Sequence, residues 1–359
     1  MNALDDDSLL ALDGDGMLVH IANVGTELAR AWKASEDLQL PESARDATNV
    51  VLAGMGGSAT AGDYFATLCA ESAELPVCVS RGFSLPNFVS ERSLVVVTSH
   101  SGDTDEALSL YDDAWKRGAA LLCITSGGKL GARAAEDGVP VHQIRYSGKP
   151  RTAIAHGLAP LLRVGAKLGL LSIDDTDLVR AADAHAATVA VHLGSSLQFE
   201  RNPGKQVAAK LSGRTPFVVG SGQMAPVATR FRNQLAENAK ILGAADSFPE
   251  AAHNLIVGLG TAGTLSERFA VVVIESRERA DQRTVAKLDA FCGQFEAVGI
   301  PLARIDVGGG RLLQQLLVGT AWGDYVSFYL ALLNGVDPTP IPQIDQIKLA
   351  LGETGTRVG

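Results

Sequence analysis

Short apolar runs rich in β-branched residues recur through the first part of the chain, each closed by a turn signal and followed by a stretch with helical spacing: NVVLAG, LPVCVS, SLVVVTS, AALLCITS and VPVHQI. Parallel strands need crossovers, so this alternation predicts βαβ units and a five-stranded parallel sheet ending near residue 146. The polar segment RYSGKPR (145–151) follows and reads as a linker, dividing the chain into units 1–150 and 151–359. From Thr152 to about Leu197 the spacing is helical, and DDTD opens a second helix within it. Three more strand-like runs, TPFVVGSG, FAVVVIES and IPLARIDV, are separated by the helical stretches VATRFRNQLAENAK and RTVAKLDAFCGQFEAVG. VVLAGMGGS and FVVGSGQM each read strand, glycine turn, helix, as in two related doubly wound modules. The long run LLQQLLVGTAWGDYVSFYLALLNG predicts a helix stopped at Gly335 and Pro338, and PTPIPQIDQIKLAL predicts one short helix after a proline-rich turn.

Composition agrees with this α/β reading. Hydrophobic residues make up 46% of the 359 but aromatic ones only 5%, so the core is built from Ala, Val, Leu and Ile, as in covered parallel sheets. A net charge of −9 without a Lys/Arg block argues against nucleic acid as a partner. It leaves room for a small phosphate held by helix N-termini and backbone N–H groups. The 4 cysteines lack CxxC spacing and read as reduced core residues. The acidic N-terminus is unlike a signal peptide, and no apolar run nears the length of a membrane span; these features predict a cytoplasmic protein.

Two loops carry candidate chemistry. In GMGGSATAGD (54–63), directly after the first strand, glycines such as Gly57 admit a ligand to the backbone, Ser58 offers a hydroxyl, and the next helix aims its positive end at the pocket. In TSHSGDTDEAL (98–108), Ser99, Ser101 and Thr104 gather at the end of another strand, with Thr104 placed to cap the following helix. Either loop alone reads first as a tight turn or N-cap; two on one sheet point to a phosphate. Ser80 and Arg81 stand where a dinucleotide site needs an acidic residue, and no Gly-Lys-Ser/Thr follows the glycines, so neither a dinucleotide nor a P-loop nucleotide fits. His185 and His192 are seven apart and no HxH or HExxH occurs, so no metal or other cofactor is expected.

GMGGSATAGD followed by SHSGDTDEAL resembles the sugar isomerase (SIS) domain. PRTAIAHGLAPLL, NPGKQVAAKLSG, RNQLAENAK, FPEAAHN and IDQIKLAL are similar to the bifunctional phosphoglucose/phosphomannose isomerase family over nearly the whole chain. The resemblance implies two tandem SIS domains, of the doubly wound flavodoxin-like kind, with a helical C-terminal segment. It also implies a homodimer with active sites shared between subunits, and metal-independent isomerisation of glucose 6-phosphate or mannose 6-phosphate with fructose 6-phosphate. By this resemblance Gly57, Ser58, Ser99, Ser101 and Thr104 hold the phosphate, Glu237 is the base, His253 and Lys348 assist ring opening, and Arg151 faces the enediolate.

Aldose–ketose interconversion moves a proton between carbons 1 and 2 through a cis-enediol, which one carboxylate can serve if burial raises its pKa. Glu237 alone also reads as a helix-surface glutamate paired with Arg230, Arg232 or Lys240, and Arg151 as one arm of a linker salt bridge. His253 alone reads equally as a hydrogen-bonded loop residue, and Lys348 as a solvated tail lysine. Departures from the family pattern fall at His100 and Asp103, where Tyr and Asn are usual, and at Ala251 and Ala252 beside His253. They bear on substrate choice more than on reaction type. Glu200, Glu250 and Asp324 receive structural or surface roles. Two other classes remain open: a non-catalytic SIS-domain sugar-phosphate-binding regulator, which needs the loops but no base, and an aminosugar-phosphate isomerase or lyase.

Overall fold

The computed structural model describes residues 2–350, with the side chains of 261–265, 348 and 349 outside the description. Two short helices, α1 (Met17–Ala22) and α2 (Val24–Ala34), precede the first strand. The first sheet then forms as β1 (Asn49–Gly54), α3 (Gly56–Cys69), β2 (Val77–Ser80), β3 (Ser93–Ser99), α4 (Asp105–Lys116), β4 (Ala120–Thr125), α5 (Gly128–Glu136) and β5 (Val141–Gln143). All five strands are parallel in the order β2-β1-β3-β4-β5, the doubly wound arrangement the pattern predicted. β3 and β4 are buried along their whole length, which is why they read as unbroken apolar runs.

Helices α6 (Ile154–Lys167), α7 (Asp175–Thr188) and α8 (Pro203–Leu211) lead to the second sheet. The Asp-rich start of α7 is a capping box, in which Asp174 accepts from the Asp177 backbone and Asp177 accepts from the Asp174 backbone. The second sheet comprises β6 (Thr215–Ser221), α9 (Ala225–Ala239), β7 (Ala244–Phe248), α10 (Leu265–Arg268), β8 (Phe269–Glu275), α11 (Gln282–Ala297) and β9 (Leu302–Asp306). Its order is β7-β6-β8-β9, so the three strands expected from sequence become four. The additional strand β7 reads AADSF, an edge strand too short and too polar to show a β-branched run. α12 (Leu312–Leu333) and α13 (Pro342–Ala350) complete the chain, with Gly335 at φ +63° just beyond α12.

One expectation needs correction: α12 is a 22-residue helix with a mean hydropathy of 1.4 over an 18-residue window, long and apolar enough to cross a membrane by length and composition. It reads this way because 89% of that window is buried, against α7, α8 and α9 among others. α6 covers α3 and α2, and α7 lies on α2 and α12, so one continuous apolar core reaches from Val50 in the first sheet to Val272 in the second.

Candidate functional site

The register between β1 and β3 pairs Gly54 with Thr98, which sets the two glycine/hydroxyl loops side by side at the carboxyl ends of adjacent central strands. α3 begins at Gly56 with no side-chain hydrogen bond to its first turn; the Ser58 N–H bonds the Met55 carbonyl at 3.1 Å, and the N–H groups of Gly56 and Gly57 are left for a ligand. α4 begins the same way. Thr104 does hold its N-cap position, but the Thr104 hydroxyl is shared with the Ser99 hydroxyl at 3.0 Å instead of capping the helix. Ser99 Oγ also accepts from the Gly102 N–H at 3.1 Å and is buried, whereas Ser58 is half-buried and Ser101 exposed. Asp103 does not aim its charge at the hydroxyls: its carboxylate accepts from the Lys129 N–H at 3.0 Å, in the first turn of α5.

A 3-10 turn, Pro150–Thr152, closes over the first loop so tightly that a Cβ on Gly57 would stand 2.9 Å from the Pro150 carbonyl oxygen. This turn carries Arg151, only 4% exposed. Arg151 Nε donates to Asn238 Oδ1 at 2.8 Å, and Nη2 donates to the carbonyls of Pro338 and Thr339, both at 2.8 Å. Its remaining nitrogen, Nη1, makes no hydrogen bond among the described residues and lies 3.6 Å from Glu237 Oε2. Glu237 thus meets Arg151 across 86 positions of sequence (237 − 151), not the helix neighbours Arg230 or Arg232. Lys240 instead donates to the Glu237 backbone carbonyl.

Burial pushes the Glu237 carboxyl above its ordinary pKa, opposed by the charges of Arg151, Arg230 and Lys240. Burial likewise lowers Arg151, which Glu237 partly offsets, and Lys240 is pushed down to about 8 by burial and by Arg151. The result is a carboxylate with a raised proton affinity beside a fixed guanidinium that keeps one donor free. Such a pair can take a proton from a carbon acid and stabilise the oxyanion that forms.

Sequence reading missed the scaffold behind this pair. Arg230 holds the Asp324 carboxylate with Nη2 at 2.7 and 2.8 Å, while its Nη1 donates to the Arg151 backbone carbonyl at 3.1 Å. Gln234 donates to Asp324 at 2.6 Å, and Asn238 donates to Ser327 at 3.0 Å. The spacing Arg230, Gln234, Asn238 puts three polar groups on one face of α9, a signal readable in advance.

His253 stands apart from this group. It is exposed in the turn after β7, and its Nε2 accepts from Lys287 Nζ at 3.2 Å; no hydrogen bond or ion pair joins it to Glu237 or Arg151 among the described residues. Lys348 lies in α13, and its side chain is outside the described residues. Ala251 is fully buried in the apolar cluster with Phe248 and Phe291, and Ala252 packs against it. A cleft of about 800 Å³ between α3, α9 and the edge strands β2 and β7 touches the first loop at Gly56 but is lined by Asp63, Arg81 and Arg232 and by none of the candidate residues.

Residues 200–351 match the bacterial phospho-glucose isomerase C-terminal SIS domain family. The bifunctional phosphoglucose/phosphomannose isomerase of Caldicellulosiruptor bescii is 31% identical over 338 residues, 94% of this chain and 99% of that protein. The protein of the same description from Aquifex aeolicus is 31% identical over 300 residues, 83% of this chain and 89% of its own. Among solved structures, the C-terminal domain of glucosamine-fructose-6-phosphate aminotransferase from Francisella tularensis aligns with a TM-score of 0.68 at 17% identity, covering 91% of this chain and 99% of that one. That likeness shows a shared fold across both sheets. With the first relative matched almost end to end, the chain belongs to the bifunctional phosphoglucose/phosphomannose isomerase family.

Proposed function

We propose that this chain is an aldose–ketose isomerase that interconverts glucose 6-phosphate and mannose 6-phosphate with fructose 6-phosphate through a cis-enediol. The observation that carries the reading is the Glu237–Arg151 pair, 3.6 Å apart, whose arginine sits on a turn that closes over the first glycine loop. In this reading the phosphate rests on the open first turns of α3 and α4, with Gly57, Ser58, Ser99, Ser101 and Thr104 donating to it. Glu237 removes the proton from carbon 2 of the opened aldose and returns it to carbon 1, and Arg151 Nη1 neutralises the enediolate oxygen. No step requires a metal.

His253 and Lys348 complete the assignment as the groups that move a proton to or from the ring oxygen. That no hydrogen bond or ion pair joins His253 to the Glu237 pair among the described residues fits an active site shared between two subunits, which makes a homodimer part of the proposal. Mixing Glu237→Gln and His253→Ala proteins then restores activity by subunit exchange; verified exchange without recovery argues against shared sites.

The direct test is turnover of fructose 6-phosphate to each aldose phosphate in EDTA, comparing wild type with Glu237→Gln. Loss of a general base lowers kcat by roughly 10²- to 10⁴-fold with KM little changed. A Glu237→Gln protein that keeps wild-type kcat removes Glu237 from the chemistry.

A further inference from the structure

The two loops that would hold the phosphate differ in how they are tied to Arg151. The first is locked directly, by the contact of Gly57 with Pro150. The second, Ser99 to Thr104, makes no hydrogen bond to that turn among the described residues; what lies between it and the turn is the side chain of Tyr146. The His100 ring, flanked by Ser99 and Ser101, meets the Tyr146 ring edge-on, with centroids 6.3 Å apart and planes at 88°. On its far end the Tyr146 hydroxyl donates to Thr152 Oγ1 at 2.9 Å, and Thr152 Oγ1 donates to the Lys149 carbonyl at 2.8 Å. These bonds bracket Arg151 on both sides.

The ring is held on its remaining sides as well. His156 stacks on it at 4.6 Å between centroids, His156 Nε2 lies 3.1 Å from Glu27 Oε2, and His20 Nδ1 reaches the Tyr146 hydroxyl at 2.8 Å. Because the hydroxyl proton goes to Thr152, His20 is the donor in that bond. Tyr146 also folds back over its own chain. A Cβ on Gly148 would fall 2.5 Å from the ring and hydroxyl, so this position needs glycine for the ring to sit where it does. On the other side of His100, the Ser126 hydroxyl donates to its carbonyl at 2.5 Å.

We propose that Tyr146 is a positioning residue that couples the second phosphate loop to the turn bearing Arg151, its ring steadying His100 and its hydroxyl steadying Thr152. The inference rests on the isomerase reading for its kinetic effects, while its binding effects stand without turnover. Tyr146 touches neither the phosphate nor the reacting carbons. It sets the distance between the place where the phosphate is held and the cation that meets the enediolate, and a misplacement there costs rate more than binding.

The test uses the full-length protein with Tyr146→Phe, Tyr146→Ala, Thr152→Val and the Tyr146→Phe/Thr152→Val double variant, each first checked for folding by circular dichroism. Binding of inorganic phosphate is measured by calorimetry, and kcat and KM for fructose 6-phosphate by coupled assay. Tyr146→Phe keeps the ring and loses the hydrogen bonds to Thr152 and from His20, so kcat falls about fivefold while phosphate affinity stays within about twofold. Thr152→Val loses the same Tyr146–Thr152 bond and the bond to the Lys149 carbonyl, so the double variant loses less than the sum of the two single variants, because the shared bond is lost only once. Tyr146→Ala also loses the contact with His100 and weakens phosphate binding about tenfold.

A melting temperature that drops while kcat, KM and phosphate affinity all stay at wild-type values overturns the proposal, as does an additive double variant. A wild type that binds phosphate without turning over sinks the isomerase reading alone; the loss of phosphate affinity in Tyr146→Ala then still decides for or against Tyr146.

Discussion

The chain uses one local device twice, and the two copies have diverged. After β1 the turn Gly54–Ser58 stays open: Gly56 is exposed, Ser58 half-buried, and no side chain caps α3. After β6 the corresponding turn is filled, because the Met224 side chain, 1% exposed, enters the core at the start of α9 and Pro226 removes one of the first N–H groups. The opposite ends of the two helices reverse the relation. α3 finishes with Leu68 and Cys69 in the core, whereas the last turn of α9 carries Glu237 and Asn238 against Arg151. In the proposed mechanism the first module turns the positive end of its helix toward an anion. The second, in the same proposal, uses the negative end of its helix, where a carboxylate is disfavoured in its charged form, to hold a base. Duplicating a strand, turn and helix duplicates two ends, and function can be built on either.

The sharpest way to break this comparison is to unpair the scaffold of the second module. Asp324 is fully buried and holds Arg230, so Asp324→Ala strands a buried guanidinium and costs about 3–5 kcal/mol. Urea unfolding followed by circular dichroism reads this directly. A loss below about 1 kcal/mol would mean that the pair is as dispensable as an exposed one.

The two turns themselves are separated by a matched pair of truncations. Met224→Ala opens a cavity and destabilises the fold by about 2–4 kcal/mol, yet leaves KM of the folded protein unchanged. Ser99→Ala removes a hydroxyl that is buried and shared with Thr104. It raises KM and the inhibition constant of inorganic phosphate together by about tenfold, the loss of one hydrogen bond to a charged group. Were Met224→Ala to raise KM as well, the second turn would have kept a binding role and the contrast would fail.

These outcomes bear on what sequence alone could reach. β1, β3, β4 and β8 were legible because buried parallel strands are unbroken apolar runs, while β7 was not, since AADSF carries a charge and no β-branched residue. The open turn after β1 was legible as glycines and a serine. Arg151 and Glu237 were each named only through resemblance, and their pairing was not read at all, because nothing local links residues 86 positions apart. Asp324 read as structural, and it is, but its partner Arg230 lies 94 positions away on another helix. Periodicity names the face of a helix that turns inward; which polar groups then meet depends on how two helices cross.

The smallest expected effect tests whether the end of α9 tunes Glu237 through its neighbours. As a base Glu237 must be ionised, so kcat/KM falls on the acid side as pH drops through its pKa, which burial has raised above the ordinary carboxylate value. Each nearby cation opposes that rise, so removing one moves the acid limb to higher pH. Arg151 is the foremost of these cations and Lys240 the least, behind Arg230. Arg151→Gln therefore moves the limb upward further than Lys240→Met does, and Lys240→Met, which keeps the aliphatic stem, moves it upward only slightly. Profiles of kcat/KM against pH at fixed ionic strength measure both shifts. A limb that stays in place in both variants would show that the titrating group is not Glu237, and a limb that moved downward would reverse the sign on which the second half of the comparison depends.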